Sequence, residues 1–186
     1  MAFDINQIKS ELRGGGARQN LFEVTITMKG VANATAASNK TKFMVQAAQL
    51  PSSTLGTIQV PYFGRKIKIA GDRNFAPWTV TVINDEDFLI RNAMETWNNS
   101  INAYEANINQ LGSGAPALYK SQATVTHFGK AGEILRVYQF NGLYPAEVSP
   151  ITLDWNTQDQ LEEFDVTFEY DSFEVIGGVT GNAGGA

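Results

Sequence analysis

Large apolar and polar side chains alternate with a period of two through most of this chain. Phe22, Val24, Ile26 and Met28 alternate with Glu23, Thr25 and Thr27, and Phe164, Val166, Phe168 and Tyr170 with Glu163, Asp165, Thr167, Glu169 and Asp171. Successive side chains on a strand point to opposite faces, so both runs read as half-buried strands. Ile67 and Ile69 alternate with Lys66 and Lys68. Ala70-Gly71-Asp72 interrupts that pattern, and Trp78, Val80 and Val82 resume it, which predicts a turn at Gly71 and a returning strand. Phe43, Val45 and Ala47, then Ile58 and Val60 beyond Pro51-Ser52-Ser53, predict a hairpin of residues 42–49 and 57–63 whose second face is polar and hardly charged. Residues 119–128 and 133–141 flank Gly129-Lys130-Ala131-Gly132, a second hairpin signal. Residues 30–41 hold almost no large apolar side chain and read as a polar loop.

One interval changes period. Ile90, Met94, Trp97, Ile101, Tyr104, Ile108 and Leu111 recur in steps of three and four. The flanking Asn98, Asn99, Asn102, Asn107 and Asn109 are poor helix formers without the charge pairs of a coiled coil. One sheet-packed helix from about Glu86 to Ser100 is therefore expected, capped by Asn84 or Asp85 and fraying toward Gly112-Ser113-Gly114. Ile5, Ile8 and Leu12, with Asp4 as a cap, predict a short amphipathic helix before Gly14-Gly15-Gly16; a helix this short needs a surface to dock on. The expected fold is mainly β: a β-sandwich or partly rolled barrel of about 7–8 strands with one flanking α-helix. Residues 1–17 form an arm, 18–173 the domain, and 174–186 a Gly-rich flexible tail.

Composition narrows the chemistry. There is no cysteine, which removes disulfides and thiolate metal sites. The N-terminal residues carry Asp4, Lys9, Glu11 and Arg13 without an apolar run, so no signal peptide is expected, and no stretch approaches the ~20 apolar residues of a membrane span. A cytoplasmic site of synthesis and assembly follows. The net charge of −5 argues against tight nucleic-acid binding, which depends on Lys and Arg displacing counterions.

His127 is the only histidine and sits within an alternating strand run, so packing is the better reading than catalysis. Asp85-Glu86-Asp87 has oxygens enough for a hard cation but sits where a helix start uses acids, so no metal or cofactor is expected. Glu163, Asp165 and Glu169 read as the solvated face of a strand rather than the acid pair of a hydrolase. Arg65, Lys66, Lys68 and Arg73 form the one basic cluster, and a subunit contact pairing with acids such as Glu163 or Asp165 suits it best. No catalytic residue is expected.

Several ordered motifs resemble the tail tube proteins of T-even-like contractile phages. They are Asn20-Leu21-Phe22, Leu50-Pro51, Gly64-Arg65-Lys66-Ile67, Ala70-Gly71-Asp72-Arg73, Trp78-Thr79-Val80-Thr81-Val82 and Asn84-Asp85-Glu86. Gly142-Leu143-Tyr144-Pro145, Leu153-Asp154-Trp155 and Phe164-Asp165-Val166-Thr167 complete the set, which covers roughly residues 18 to 173.

The resemblance implies a structural virion protein. Hexameric rings would stack into the inner tube of a contractile tail, each subunit giving four strands to a closed barrel. Its partners would be the sheath, baseplate and tail terminator proteins, with the tape measure protein and phage DNA in the lumen. On that reading Gln46, Thr57 and Gln59 face the lumen, while Ile5, Ile8, Leu12, Arg65, Lys66, Lys68, Asp72 and Arg73 make contacts between subunits. The alternatives are the tube of a phage-derived injection system with no DNA cargo, and a carbohydrate-binding sandwich using Tyr62, Phe63 and Trp155.

Overall fold

A computed structural model describes residues 5–111, 114–179 and 181. Asp4, Gly112, Ser113 and residues 180 and 182–186 of the Gly-rich tail lie outside the described residues. In chain order the elements are α1 (Ile5–Glu11), β1 (Phe22–Ile26), α2 (Ala34–Met44), β2 (Val45–Ala48), β3 (Ser53–Tyr62), β4 (Arg65–Phe75), β5 (Trp78–Ile83) and α3 (Leu89–Ile101). They continue with α4 (Pro116–Tyr119), β6 (Ser121–Phe128), β7 (Ile134–Val148), β8 (Glu163–Glu169) and β9 (Ser172–Gly178). The protein is mainly β, as the alternation predicts.

Seven strands form one folded-over sheet in the order β1-β6-β7-β8-β5-β2, with β9 also on β7. The long strand β7 makes this possible. Its first part pairs with β6 and β9, and its second part, from Tyr144 onward, pairs with β8. The bend falls at Gly142, whose φ of 71° is one that a residue with a Cβ adopts only under strain. The folded sheet encloses the core, in which Trp78 stacks on Phe140 at 4.3 Å between centroids and lies 5.7 Å from Phe168. Both buried indoles find acceptors: Trp78 Nε1 donates to the Gln49 carbonyl at 2.8 Å and Trp97 Nε1 to the Tyr119 carbonyl at 2.9 Å. These bonds offset the cost of burying the N–H groups. Helix α3 closes the core with Ile90, Ala93, Met94 and Trp97, and ends at Ile101 as the asparagine-rich flank predicts.

Several expectations are corrected. Residues 30–41 are not a loop, because helix α2 occupies most of them. It packs through Ala37 and Thr41, both fully buried, and small side chains leave no apolar stripe to read. Phe43, expected to face inward on a strand, lies in the last turn of that helix and is 83% exposed. Two substantial helices therefore flank the sheet, not one.

The hairpin of 42–49 with 57–63 does not form: β2 pairs with β5, and β3 pairs with β4. Gln46, Thr57 and Gln59 are consequently not on one hairpin. Nor is Ala70-Gly71-Asp72 a turn, since β4 runs through it to Phe75. The reversal lies at Phe63-Gly64, with φ of 42° and 78°, as a tight two-residue hairpin requires. Gly71 is needed for another reason: a Cβ there would sit 3.2 Å from the Gly56 carbonyl across a bulge.

Helix α3 begins at Leu89, not Glu86, because Asp85-Glu86-Asp87 forms a turn before it; the Leu89 N–H donates to Asp87 Oδ1 at 3.0 Å. Asn84 serves elsewhere, donating from Nδ2 to Glu162. Among the described residues seven strands form the main sheet and two more the β3–β4 ladder, and β9 (Ser172–Gly178) runs into residues expected in the tail.

Candidate assembly surface

The β2–β5 ladder continues into the β3–β4 ladder, interrupted where Pro51 and Pro77, which lack N–H donors, interrupt the pairing. Beyond this break the two chains leave the sheet as a separate two-stranded arm. Register divides its side chains. Ile58 pairs with Ile69, Val60 with Ile67 and Tyr62 with Arg65 on one face; Thr57 pairs with Ala70, Gln59 with Lys68 and Pro61 with Lys66 on the other. The first face is apolar except for Arg65 near the tip, and the second is polar and basic. Ile58, Val60, Tyr62, Ile67 and Ile69 remain 41–63% exposed, and at the tip Phe63 is 92% exposed with its ring edge-on to Tyr62 at 4.6 Å.

This placement joins residues that the sequence reading separates. Thr57 and Gln59, expected at the lumen, share a face with Lys66 and Lys68, expected at subunit contacts. Asp72 lies at the bulge, and Arg73 donates from its guanidinium to Ser53 Oγ at 3.1 Å across the arm. Gln46 is exposed at the bulge of β2. Ile5 and Ile8 on α1, with Leu12 just beyond it, keep half or more of their surface in solvent, and α1 buries no residue.

A second exposed region carries no alternation and is missing from the expected contacts. The connection from β7 to β8 presents Leu153, Trp155 and Leu161, with Trp155 fully exposed. Asp154 shapes it, accepting from the Asn156 N–H at 3.0 Å. The signal in the sequence is a tryptophan among acids, Asp154-Trp155, where no partner on the same face accompanies it.

The candidates for other chemistry are engaged locally. Lys40 Nζ bridges Asp85 at 2.6 Å and Asp87 at 2.5 Å, clamping α2 to the turn before α3. Hydrogen bonding to Lys40 holds both carboxyls below the usual aspartate range, and those two bonds raise the Lys40 ammonium above its ordinary value. Asp165 accepts from Thr81 Oγ1 at 2.7 Å, and His127 Nε2 meets the Arg18 carbonyl at 2.7 Å. Among the described residues no cluster of acids and histidine could hold a metal ion, and no helix is long and apolar enough to cross a membrane.

Known proteins share both the sequence pattern and the fold. The family described as phage tail tube protein matches residues 17–176. The tail tube protein gp19 of Enterobacteria phage T4 is 36% identical over 162 residues, 87% of this chain and 93% of the relative; that of phage T6 matches equally. The tail tube protein of Serratia phage KSP90 is 26% identical over 168 residues, 89% of this chain and 93% of the relative.

The fold recurs in a chain of the anti-feeding prophage baseplate, with a TM-score of 0.60 at 13% identity over 87% of this chain and 95% of that one. It recurs again in the sheath-tube complex of an extracellular contractile injection system, with a TM-score of 0.55 at 16% identity over 94% and 98%. An exposed arm stands on a domain whose sequence matches the tail tube proteins over most of its length, which marks it as a structural part: the chain belongs to the phage tail tube protein family, whose place is the tail of the virion.

Proposed function

We propose that six copies of this chain close into a ring and that rings stack into the inner tube of a contractile tail. The sheath surrounds the tube and drives it through the host envelope, and the genome passes along the lumen. Baseplate and terminator proteins bound the tube, and the tape measure protein occupies it before ejection.

The observation that carries this reading is the β3–β4 arm. A lone two-stranded ladder is marginal in water, yet this one keeps five large apolar side chains half exposed on one face. Covering them contributes roughly 1 kcal/mol each, or about 5 kcal/mol in all. One such contact is comparable to the ~4–15 kcal/mol that association costs. A ring offsets that cost better, because each subunit then makes the contact twice, once with each neighbour.

For the lumen, the four strands β2, β5, β8 and the second half of β7 are the best share of a barrel. Their outward side chains include Thr79, Thr81, Glu163, Asp165 and Thr167, with Gln46 exposed on β2, and no Lys or Arg. Thr79 and Thr167 hydrogen-bond each other at 3.2 Å and Thr81 is held by Asp165. Such a wall repels phosphates rather than arresting them. Thr57 and Gln59 suit a subunit contact better, since Lys66 and Lys68 beside them would grip DNA.

Electron microscopy over a concentration series, with light scattering on the same samples, tests the proposal. Six-fold rings or hollow tubes are expected. A monomer at every concentration, even with preformed tail baseplates as seeds, would contradict it, and tubes purified from virions without DNA passage would favour the cargo-free injection system.

A further inference from the structure

Two exposed regions of this chain are opposites in charge and alike in apolar character. The arm, residues 53–75, carries Arg65, Lys66, Lys68 and Arg73 against the single acid Asp72. The β7–β8 connection, residues 150–162, carries Asp154, Asp159 and Glu162 and no cation. In a chain with a net charge of −5, this gathers four of the fourteen basic residues onto one arm. None of these four cations and three acids takes part in an ion pair recorded among the described residues. Each region also offers apolar groups: Tyr62 and Phe63 at the arm's tip, and a shallow cleft of about 650 Å³ framed by Leu153, Trp155 and Leu161.

Resting on the tube reading above, we infer that the arm of one copy docks its aromatic tip against the β7–β8 connection of the next copy, with Arg65 and Lys66 facing that copy's acids. The occupant is a second copy because the same chain holds both complementary surfaces. The two patches differ, so the contact is heterologous: each subunit gives its arm to one neighbour and receives an arm from another. A self-complementary contact would stop at a dimer, whereas this one propagates into a ring or a helical stack. Apolar burial supplies the attraction and the charges set which surfaces meet, because like patches repel. The arm cannot dock on another arm, nor one acidic connection on another.

The absence of native cysteine makes a direct test possible. In tubes of the double variant Phe63→Cys/Leu161→Cys, oxidation is expected to give a ladder of covalent dimers, trimers and longer chains on a non-reducing gel. Each single variant is expected to stay monomeric, since neither cysteine meets its own copy. Arg65→Glu with Lys66→Glu is expected to leave the melting temperature of the subunit unchanged and to raise the critical concentration for tube formation about tenfold, as several weak charge pairs together predict.

Normal tubes from the double variant without a ladder, efficient dimers from Phe63→Cys alone, or an unchanged critical concentration would each overturn the inference while leaving the tube reading intact. Failure of the unmodified protein to assemble would overturn the tube reading and this inference with it.

Discussion

The β5–β8 ladder and the β3–β4 arm are built alike and end differently. In the first, Trp78 faces Phe168, Val80 faces Val166 and Val82 faces Phe164 across an antiparallel pair, and all six are buried. In the second, Ile58 faces Ile69 and Val60 faces Ile67 in the same kind of pair, and all four are about half exposed. Alternation is equally clean in both. What differs is the supply of neighbours: β5 lies between β2 and β8 with the folded sheet and α3 beneath it, whereas β3 and β4 have only each other. Period-two patterning therefore reports that one face of a strand is to be covered. Whether its own chain or another copy covers it is not in the pattern.

Substitutions should separate the two regions sharply. Trp97→Ala, which empties a fully buried site on α3, is expected to destabilise the isolated subunit by about 3–5 kcal/mol in urea unfolding. Gly142→Ala places a Cβ at positive φ, against the Asp171 side chain, at the bend of β7. About 1–2 kcal/mol is expected there, together with lost protection of β9 if the bend itself is disturbed.

Ile69→Ser on the arm should change subunit stability by no more than about 0.5 kcal/mol while preventing tube growth, read by sedimentation beside the melt. If Ile69→Ser weakened the monomer as much as Trp97→Ala, the contrast between the regions would collapse.

The smallest effect belongs to the Lys40 clamp. Its two aspartates have folded values lowered by Lys40, so their contribution is present above the ordinary carboxylate pKa and lost as the pH falls through the lowered one. The raised Lys40 value adds a contribution that is present below the ordinary lysine pKa and lost at pH above the folded one. Lys40→Met is thus expected to lower the melting temperature slightly at neutral pH, with the difference vanishing in acid below the carboxylate range.

Much of this was legible in advance. The strands β1, β5 and β8 show themselves by alternation because a single core covers one face of each. Helix α3 shows itself by its 3.6-residue period, and its end by the asparagines. Helix α2 was hidden because Ala37 and Thr41 pack by close approach, and small residues carry little hydropathy signal. Gly71 was misread because glycine permits both a turn and a crowded bulge, and only the approach of Gly56 distinguishes them.

At the candidate surface the arm's composition was readable but not its pairing. One misplaced hairpin put Thr57 and Gln59 on a different surface from Lys66 and Lys68. The sequence offers Trp155 only as an aromatic for a carbohydrate-binding sandwich, because a lone aromatic in an irregular segment has no period that would mark it as a subunit contact.

Hydrogen exchange on the subunit before and after assembly tests the central claim most directly. The amides of residues 53–75 should exchange rapidly in the monomer and become strongly protected in the tube, while β5 and β8 are protected in both. An arm as protected in the monomer as β5, or one that still exchanges freely within intact tubes, would contradict the claim that a neighbouring copy covers it.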